Sequence, residues 1–331
     1  MASVGLIRAG ILSPIAAFLA RRHASAEALV VRNGLPSWVL GDPELLIPMS
    51  ALIRLLADAA NEVDADAGAL AGQDADLDAL GMLGRLICGA PTLADALEAL
   101  AEHHPAFTSS GRVWVESQGP GIELCHAFPA LDDRWQQTTH YAIGLMVAIV
   151  RRAVGPTWRP REVKCQAGWS KSLAGVESLA NASITFERPV TSIAIPRDLL
   201  TARLPAYAPP AAAEIDGWNE AAPALDFVRS IGQIIETLSC DGFPCIETTA
   251  SAIGTSVRTL QRRLAKAGFT HEQLLARSRC AIATALLEKT DSKILDIALD
   301  LGYSDHAHFT RAFRRWTGHS PQEFRQNRTN G

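Results

Sequence analysis

Apolar residues recur at helical spacing along most of this chain and alternate along a shorter part of it. In IPMSALIRLLADAA (47–60) and TLADALEALA (92–101) the spacing is i, i+3, i+4, which predicts two amphipathic helices. GLIRAGILSPIAAFLARR (5–22) and residues 137–154 predict two more. VWVESQGPGIELCHAF (113–128) reads as two strands joined by a turn at 118–121, and VTSIAIP (190–196) as another strand. Residues 1–205 therefore predict an α+β domain.

The pattern changes after that. Residues 206–224 are rich in proline and alanine and predict a linker. Over 225–331 every segment predicts helix. Phe227, Ile231, Ile234, Ile235 and Leu238 form an apolar stripe. THEQLLARSRCAIATALLEKT (270–290) opens with Thr270 and Gln273 at capping-box spacing, and Leu274, Ala281, Ile282, Ala285 and Leu286 predict a long buried helix.

Two stretches on either side of that helix are versions of one pattern. IETTASAIGTSVRTLQRRL (246–264) and ILDIALDLGYSDHAHFTRAF (294–313) align Ile246 with Ile294, Ala250 with Ala298 and Gly254 with Gly302. One extra residue in the second turn then aligns Leu260 with Phe309 and Leu264 with Phe313. An alanine lets two helices approach, and a glycine four residues later permits a left-handed turn. The repeat predicts two helix-turn-helix units. Leu260, Leu264, Phe309, Phe313 and Trp316 then face inward. Arg258, Gln261 and Arg262 face outward in the first unit, and His306, Thr310, Arg311, Arg314 and Arg315 in the second.

Charge sharpens this picture. SVRTLQRRLAKAG (256–268) carries Arg258, Gln261, Arg262, Arg263 and Lys266 and no acidic residue. Like charges at i,i+4 oppose a helix, so compensation should come from outside it. From residue 246 onward there are 13 Lys/Arg against 8 Asp/Glu, a balance of +5, whereas the preceding residues carry −9 within a net charge of −4. A basic tail on an acidic body suggests a polyanion partner. Arg, Gln and Thr suit base edges and phosphates, and the DNA major groove admits a helix.

The remaining composition sets limits. At 331 residues the chain can hold two domains, and 48% hydrophobic with 20% charged residues is an ordinary soluble mixture. The longest apolar run, 142–150, falls far short of the ~20 residues of a membrane span. The segment 5–22 lacks the basic start and small-residue cleavage site of a signal peptide. Cys88, Cys125, Cys165, Cys240, Cys245 and Cys280 form no C-x2-C pair. That argues for a reducing cytoplasm and against a disulfide framework or zinc knuckle.

TLQRRL (259–264), IALDLGYSDHAHFTRAFRRWTGHSPQEFR (297–325) and the spacing between them resemble the DNA-binding domain of the AraC/XylS family of bacterial transcription regulators. The likeness covers residues 225–328. Its closing G-x-S-P (Gly318, Ser320, Pro321) reads physically as Ser at an N-cap and Pro at N1 of a last short helix. Position 303 is Tyr where the family more often has Phe. The resemblance implies two helix-turn-helix units, held by a linker helix, entering adjacent segments of the major groove of double-stranded DNA. The matching contact positions are Arg258, Thr259, Gln261 and Arg262 in the first unit and His306, His308, Thr310 and Arg311 in the second.

LGMLGRLICGAPTLADALEAL (80–100) and SITFERPVTSIAIPRDLLTARLP (183–205) resemble the "arabinose-binding domain-like" sensor module of one AraC-type subgroup. The helices are too many for an all-β cupin. The resemblance implies a cytoplasmic, effector-responsive activator, homodimeric and working with RNA polymerase, without cofactor, metal or catalytic activity. The effector is an unidentified small molecule, and the sequence singles out no effector-binding residues. The alternative is a regulator whose N-terminal domain only dimerises or contacts a partner protein.

Two motifs invite sharper chemistry. Cys88 in LICGAPTLADAL could sit at a nucleophile elbow, but helices precede it where strand–helix units would be needed, so a buried structural thiol is expected. His103 and His104 are adjacent and point about 100° apart on a helix, so a helix-end role is expected and a shared metal is not. His306 and His308 are assigned to DNA proximity.

Overall fold

The computed structural model describes residues 3–119, 121–129, 132–171, 173–239 and 242–329. The chain separates into two compact units, residues 3–225 and 226 onward.

In the first unit, strand β1 (Leu6–Arg8) pairs antiparallel with β2 (Leu46–Pro48). The unit also has helices α1 (Leu12–Arg21), α2 (Ala26–Arg32), α3 (Met49–Glu62), α4 (Ala67–Gln73), α5 (Met82–Cys88), α6 (Leu93–Phe107) and α7 (Gln136–Val154), of which α6 and α7 pack on a five-stranded sheet. Its strands are β3 (Arg112–Gln118), β4 (Gly121–Ala127), β5 (Glu162–Lys164), β6 (Ser183–Thr185) and β7 (Thr191–Pro196), in the order β3-β4-β7-β5-β6. All pairings are antiparallel except β5 with β6.

The alternation at 113–128 and 190–196 marked β3, β4 and β7, with Gln118 opposite Gly121. The turn between them includes residue 120, which lies outside the described residues. The helix expected over 5–22 begins only at Leu12. Pro14 is accommodated in a first turn, where the missing N–H costs nothing, and Leu6–Arg8 is drawn into pairing with β2 instead. Pro48 likewise delays α3 to Met49. The helix expected over 92–101 runs on to Phe107, started by a Thr92–Asp95 capping box.

α4 and α7 cross backbone against backbone. A Cβ added at Gly72 would lie 2.4 Å from the Tyr141 carbonyl oxygen, and one at Gly144 2.5 Å from that of Ala69. This contact sets the position of α7, and with it the helix face turned toward the sheet.

The proline-rich stretch 206–224, expected as a linker, instead carries helix α8 (Ala212–Glu220) and belongs to the first unit. The reason is a buried arginine. The Arg8 guanidinium, 4% exposed, donates to the carbonyls of Trp218 (3.1 Å) and Ala221 (2.8 Å) at the end of α8, and to those of Ala106 and Glu44. Glu44 pairs with Arg8 at 3.6 Å and accepts from the Trp218 indole N–H. The carbonyls orphaned at the helix end satisfy the buried cation, which would otherwise be prohibitive. Proline composition alone hid this anchor.

The second unit is all-helical: α9 (Phe227–Leu238), α10 (Ile246–Ala252), α11 (Val257–Lys266), α12 (His271–Lys289), α13 (Ile294–Asp300), α14 (His306–Thr317) and α15 (Pro321–Thr329). The α9 stripe is buried throughout, and α12 starts at the expected Thr270–Gln273 capping box. Its buried face differs from the expected one. Leu274, Ser278, Ala283 and Leu287 are buried, Ile282, Ala285 and Leu286 half-buried, and Ala281 exposed. A helix touching neighbours on several sides has no single stripe to read. Cys240 lies outside the described residues.

Candidate DNA interface and internal cavity

The two repeats fold alike. α10 and α11 form one helix-turn-helix, α13 and α14 the other, and Ala250 and Ala298 are buried where the paired helices meet. The turn glycines Gly254 (φ +69°) and Gly302 (φ +76°) adopt the left-handed conformation that a side chain would strain. Each second helix is capped by a side chain. Ser256 Oγ accepts from Thr259 N–H at 3.2 Å, and Asp305 Oδ1 from His308 N–H at 2.7 Å. Ser320 and Glu323 form a reciprocal cap ahead of Pro321, the geometry anticipated for the G-x-S-P run.

Packing decides which faces remain outside. Leu260 and Leu264 are buried, as are Phe309 and Phe313. The Phe313 ring meets Phe309 (5.7 Å between centroids), Trp316 (6.4 Å) and Phe324 (5.5 Å), and Trp316 is half-buried. Arg258, Gln261 and Arg262 are exposed on α11, and Thr259 is half-buried with its hydroxyl bonded to Ser256. Arg258, Arg262 and Lys266 stand four residues apart in one cationic row. Arg263 is different: its guanidinium lies 4.0 Å from the centre of the Phe227 ring, so it fastens α11 to α9.

On α14, His306, His308 and Arg311 are exposed, with His308 Nδ1 3.3 Å from Asp305. Arg315 is exposed too, while Arg314 pairs with Glu323 at 3.3 Å. Thr310, placed outward by its spacing, is half-buried. Its hydroxyl oxygen is inaccessible and makes no hydrogen bond among the described residues. The spacing brings seven of the eight singled-out residues to the surface at least in part with a side chain that can reach outward; Thr310 is the exception.

The first unit holds a partly open cavity of about 90 Å³ between the β3–β4 sheet and helices α3, α6 and α7. Its walls are apolar except for His104, Thr108, His126, Thr138 and Tyr141, whose hydroxyl donates to the Ile11 carbonyl. The Thr108 hydroxyl donates to the Leu6 carbonyl at 2.8 Å. His104, His126 and Thr138 are nearly inaccessible, and His104 Nδ1, His126 Nδ1 and Thr138 Oγ1 make no hydrogen bond among the described residues. Burial lowers the His104 pKa to about 4. The same cause, with some contribution from His104, lowers that of His126 to about 3. The two rings meet edge to face at 5.8 Å. Each unpaired buried polar group costs roughly 1–3 kcal/mol, so three in one place call for an explanation.

Comparison with known proteins adds the family. A profile described as "Arabinose-binding domain of AraC transcription regulator, N-term" matches residues 24–204. The chain belongs to this AraC family of transcription regulators. A helix-turn-helix domain profile matches residues 249–327. The ornithine utilization regulator of Pseudomonas aeruginosa is 40% identical over 84 residues, 25% of each chain. VirS, a transcriptional regulator of Mycobacterium tuberculosis, is 25% identical over 312 residues, 89% of this chain and 88% of that one. Among solved structures, the regulator CdpR from P. aeruginosa aligns over 95% of this chain and 96% of its own at 20% identity and a TM-score of 0.41. The chain spans about a quarter of the ornithine regulator's length, so that match bears on an 84-residue stretch alone.

The relatives' names describe transcription regulators, and in this chain the helix-turn-helix profile falls on the all-helical second unit. No helix among the described residues is long and apolar enough to cross a membrane. No group of three or more metal-ligating side chains occurs among them. Cys88 is buried at the end of α5, and burial pushes its thiol up to about 12, out of nucleophilic range at neutral pH. His104 lies in the last turn of α6, the helix end expected, but its ring is buried and lines the cavity, while His103 stays half-buried. Sequence reasoning missed His126 and Thr138 altogether. One signal was available: His126 sits in an otherwise apolar alternation, on the same strand face as Ile122 and Leu124.

Proposed function

We propose that this AraC-family protein is a sequence-specific DNA-binding transcription regulator. Residues of α11 and α14 read two successive major-groove segments, and the N-terminal unit senses a small molecule. The observation that carries the proposal is the row Arg258, Arg262 and Lys266, exposed on the second helix of a helix-turn-helix and uncompensated by any acid on that helix. DNA phosphates supply the missing charge. Gln261 and Arg262 are suited to base edges, with Arg258, Thr259, His306, His308 and Arg311 as further contacts. Activation through RNA polymerase, homodimer formation, a cytoplasmic setting and the absence of catalysis belong to the same proposal and rest on the family.

The test is a footprint of the full-length protein on its own promoter region. Two protected major-groove segments about one turn, ~34 Å, apart on one DNA face are expected per subunit. A single protected half-turn per subunit would remove α14 from the interface.

A further inference from the structure

The N-terminal family description speaks of arabinose, yet the cavity fits a sugar poorly. A pentose carries several hydroxyls, each needing a partner once out of water. The walls offer only three unpaired polar atoms amid hydrocarbon. A charged ligand fits no better. No Lys, Arg, Asp or Glu lines the cavity, and burial holds both imidazoles neutral at physiological pH, so an ion would enter without a counter-charge.

What the walls do match is a compact hydrocarbon with one neutral polar head. A neutral imidazole presents one donor and one acceptor, and a hydroxyl presents both. His104, His126 and Thr138 come from α6, β4 and α7 and all line this cavity, the two imidazoles against each other, and a hydroxyl, with one donor and two acceptor sites, can pair with such orphaned atoms. A dry cavity of ~150 Å³ takes benzene; this one, at about 90 Å³, must widen to take a ring, and it is bordered by Met49 and Met146, whose thioether chains repack readily.

We propose that this cavity is a binding site for an uncharged molecule about the size of one six-membered ring. Its apolar body lies against α6 and α7, and its single hydroxyl pairs with the orphaned polar atoms of the wall, those of the adjacent His104 and His126 or of Thr138. The inference rests on the sensor reading of the N-terminal unit for its consequence, but not for the binding itself.

Calorimetric titration of the full-length protein with phenol, cyclohexanol, toluene, benzoate and arabinose tests it. Phenol and cyclohexanol should bind, benzoate and arabinose should not over the same range, and toluene should bind at least ~10-fold more weakly than phenol. Thr138→Val keeps the shape and removes the hydroxyl, and should cut the preference for phenol over toluene several-fold. Ala142→Leu, which fills the cavity, should abolish binding while the DNA footprint persists. Equal affinity for phenol and toluene, or an unchanged preference in Thr138→Val, would overturn the role of the polar corner. No binding by either neutral alcohol in a protein that still footprints DNA would overturn the site. If the alcohols bind but operator affinity is unaltered, the site stands and the sensing role falls, because a ligand that favours neither state shifts nothing.

Discussion

Arg262 and Arg263 are neighbours of one residue type on one helix, and the structure assigns them opposite work. Arg262 is exposed between Arg258 and Lys266, four residues away on either side. Each like-charged i,i+4 pair costs an isolated helix about 0.2–0.5 kcal/mol, so removing Arg262 should relieve about 0.4–1 kcal/mol at low salt. For a domain of this size that is a rise of roughly 2–6 °C in melting temperature. DNA binding should move the other way. Loss of a base-edge contact costs about 1–3 kcal/mol, or roughly 5–150-fold in specific affinity. Contact with phosphate alone would weaken all sequences alike and reduce the salt slope by ~0.9. Arg263→Ala should show the reverse pattern. Its stacking on Phe227 is worth about 0.5–1 kcal/mol at a partly exposed site, so the C-terminal unit should melt lower while operator affinity is largely kept. The assay is calorimetric melting of both variants in the full-length chain, paired with fluorescence-anisotropy titrations of operator and scrambled DNA at two salt concentrations. If Arg262→Ala leaves affinity and salt slope untouched, or if Arg263→Ala is the variant that loses DNA, the faces of α11 have been assigned backwards.

Two further outcomes follow from the cores. Phe313→Ala removes a fully buried ring in contact with three other aromatic rings and should cost about 3–5 kcal/mol, a large share of the stability of a unit this size, so DNA binding fails through unfolding; a normal thermal transition would refute the packing. His104, His126 and His140 are buried neutral, with pKa values lowered to about 4, 3 and 4, so the unfolded chain takes up protons first as pH falls below ~6.5; each residue should cost the N-terminal unit roughly 1.4 kcal/mol per pH unit down to its folded pKa, with full stability above 6.5, and His126→Phe should flatten the urea-midpoint slope between pH 6 and 4.5 if this linkage is the cause.

How much of this could be read from the chain depended on whether a feature repeats. The helix-turn-helix units were legible because each needs the same alanine, glycine and apolar pair, and two copies remove coincidence. Even there, periodicity sorted inward from outward only coarsely. Thr310 lies on the outward side by angle, yet it is short enough for its hydroxyl to be covered by its surroundings, whereas the longer Arg311 reaches solvent. Arg263 shows the converse. Its charge reads as a surface feature, but a flat guanidinium can be spent on an aromatic ring, and nothing in TLQRRL says that Phe227 will be there.

The N-terminal unit was legible as a mixture of helices and strands but not as a container. Hydrophobic periodicity marks which residues leave water; it does not say whether they fill the space they enclose. Leu100, His104 and Phe107 on α6 and Thr138, Tyr141 and Leu145 on α7 each follow a helical face, and so look like ordinary core. The hollow between them depends on how far apart those faces are held. That separation is set elsewhere, by the backbone crossing of α4 and α7 at Gly72 and Gly144 and by the Tyr141 hydroxyl donating to the Ile11 carbonyl at 2.7 Å. Two adjacent imidazoles and a hydroxyl left unpaired around one cavity would be less stable than valine or leucine in a fully packed core. Polar atoms left without partners beside an unfilled volume make physical sense together if something else completes both, and that is why the cavity, more than any motif, is where the effector should be sought.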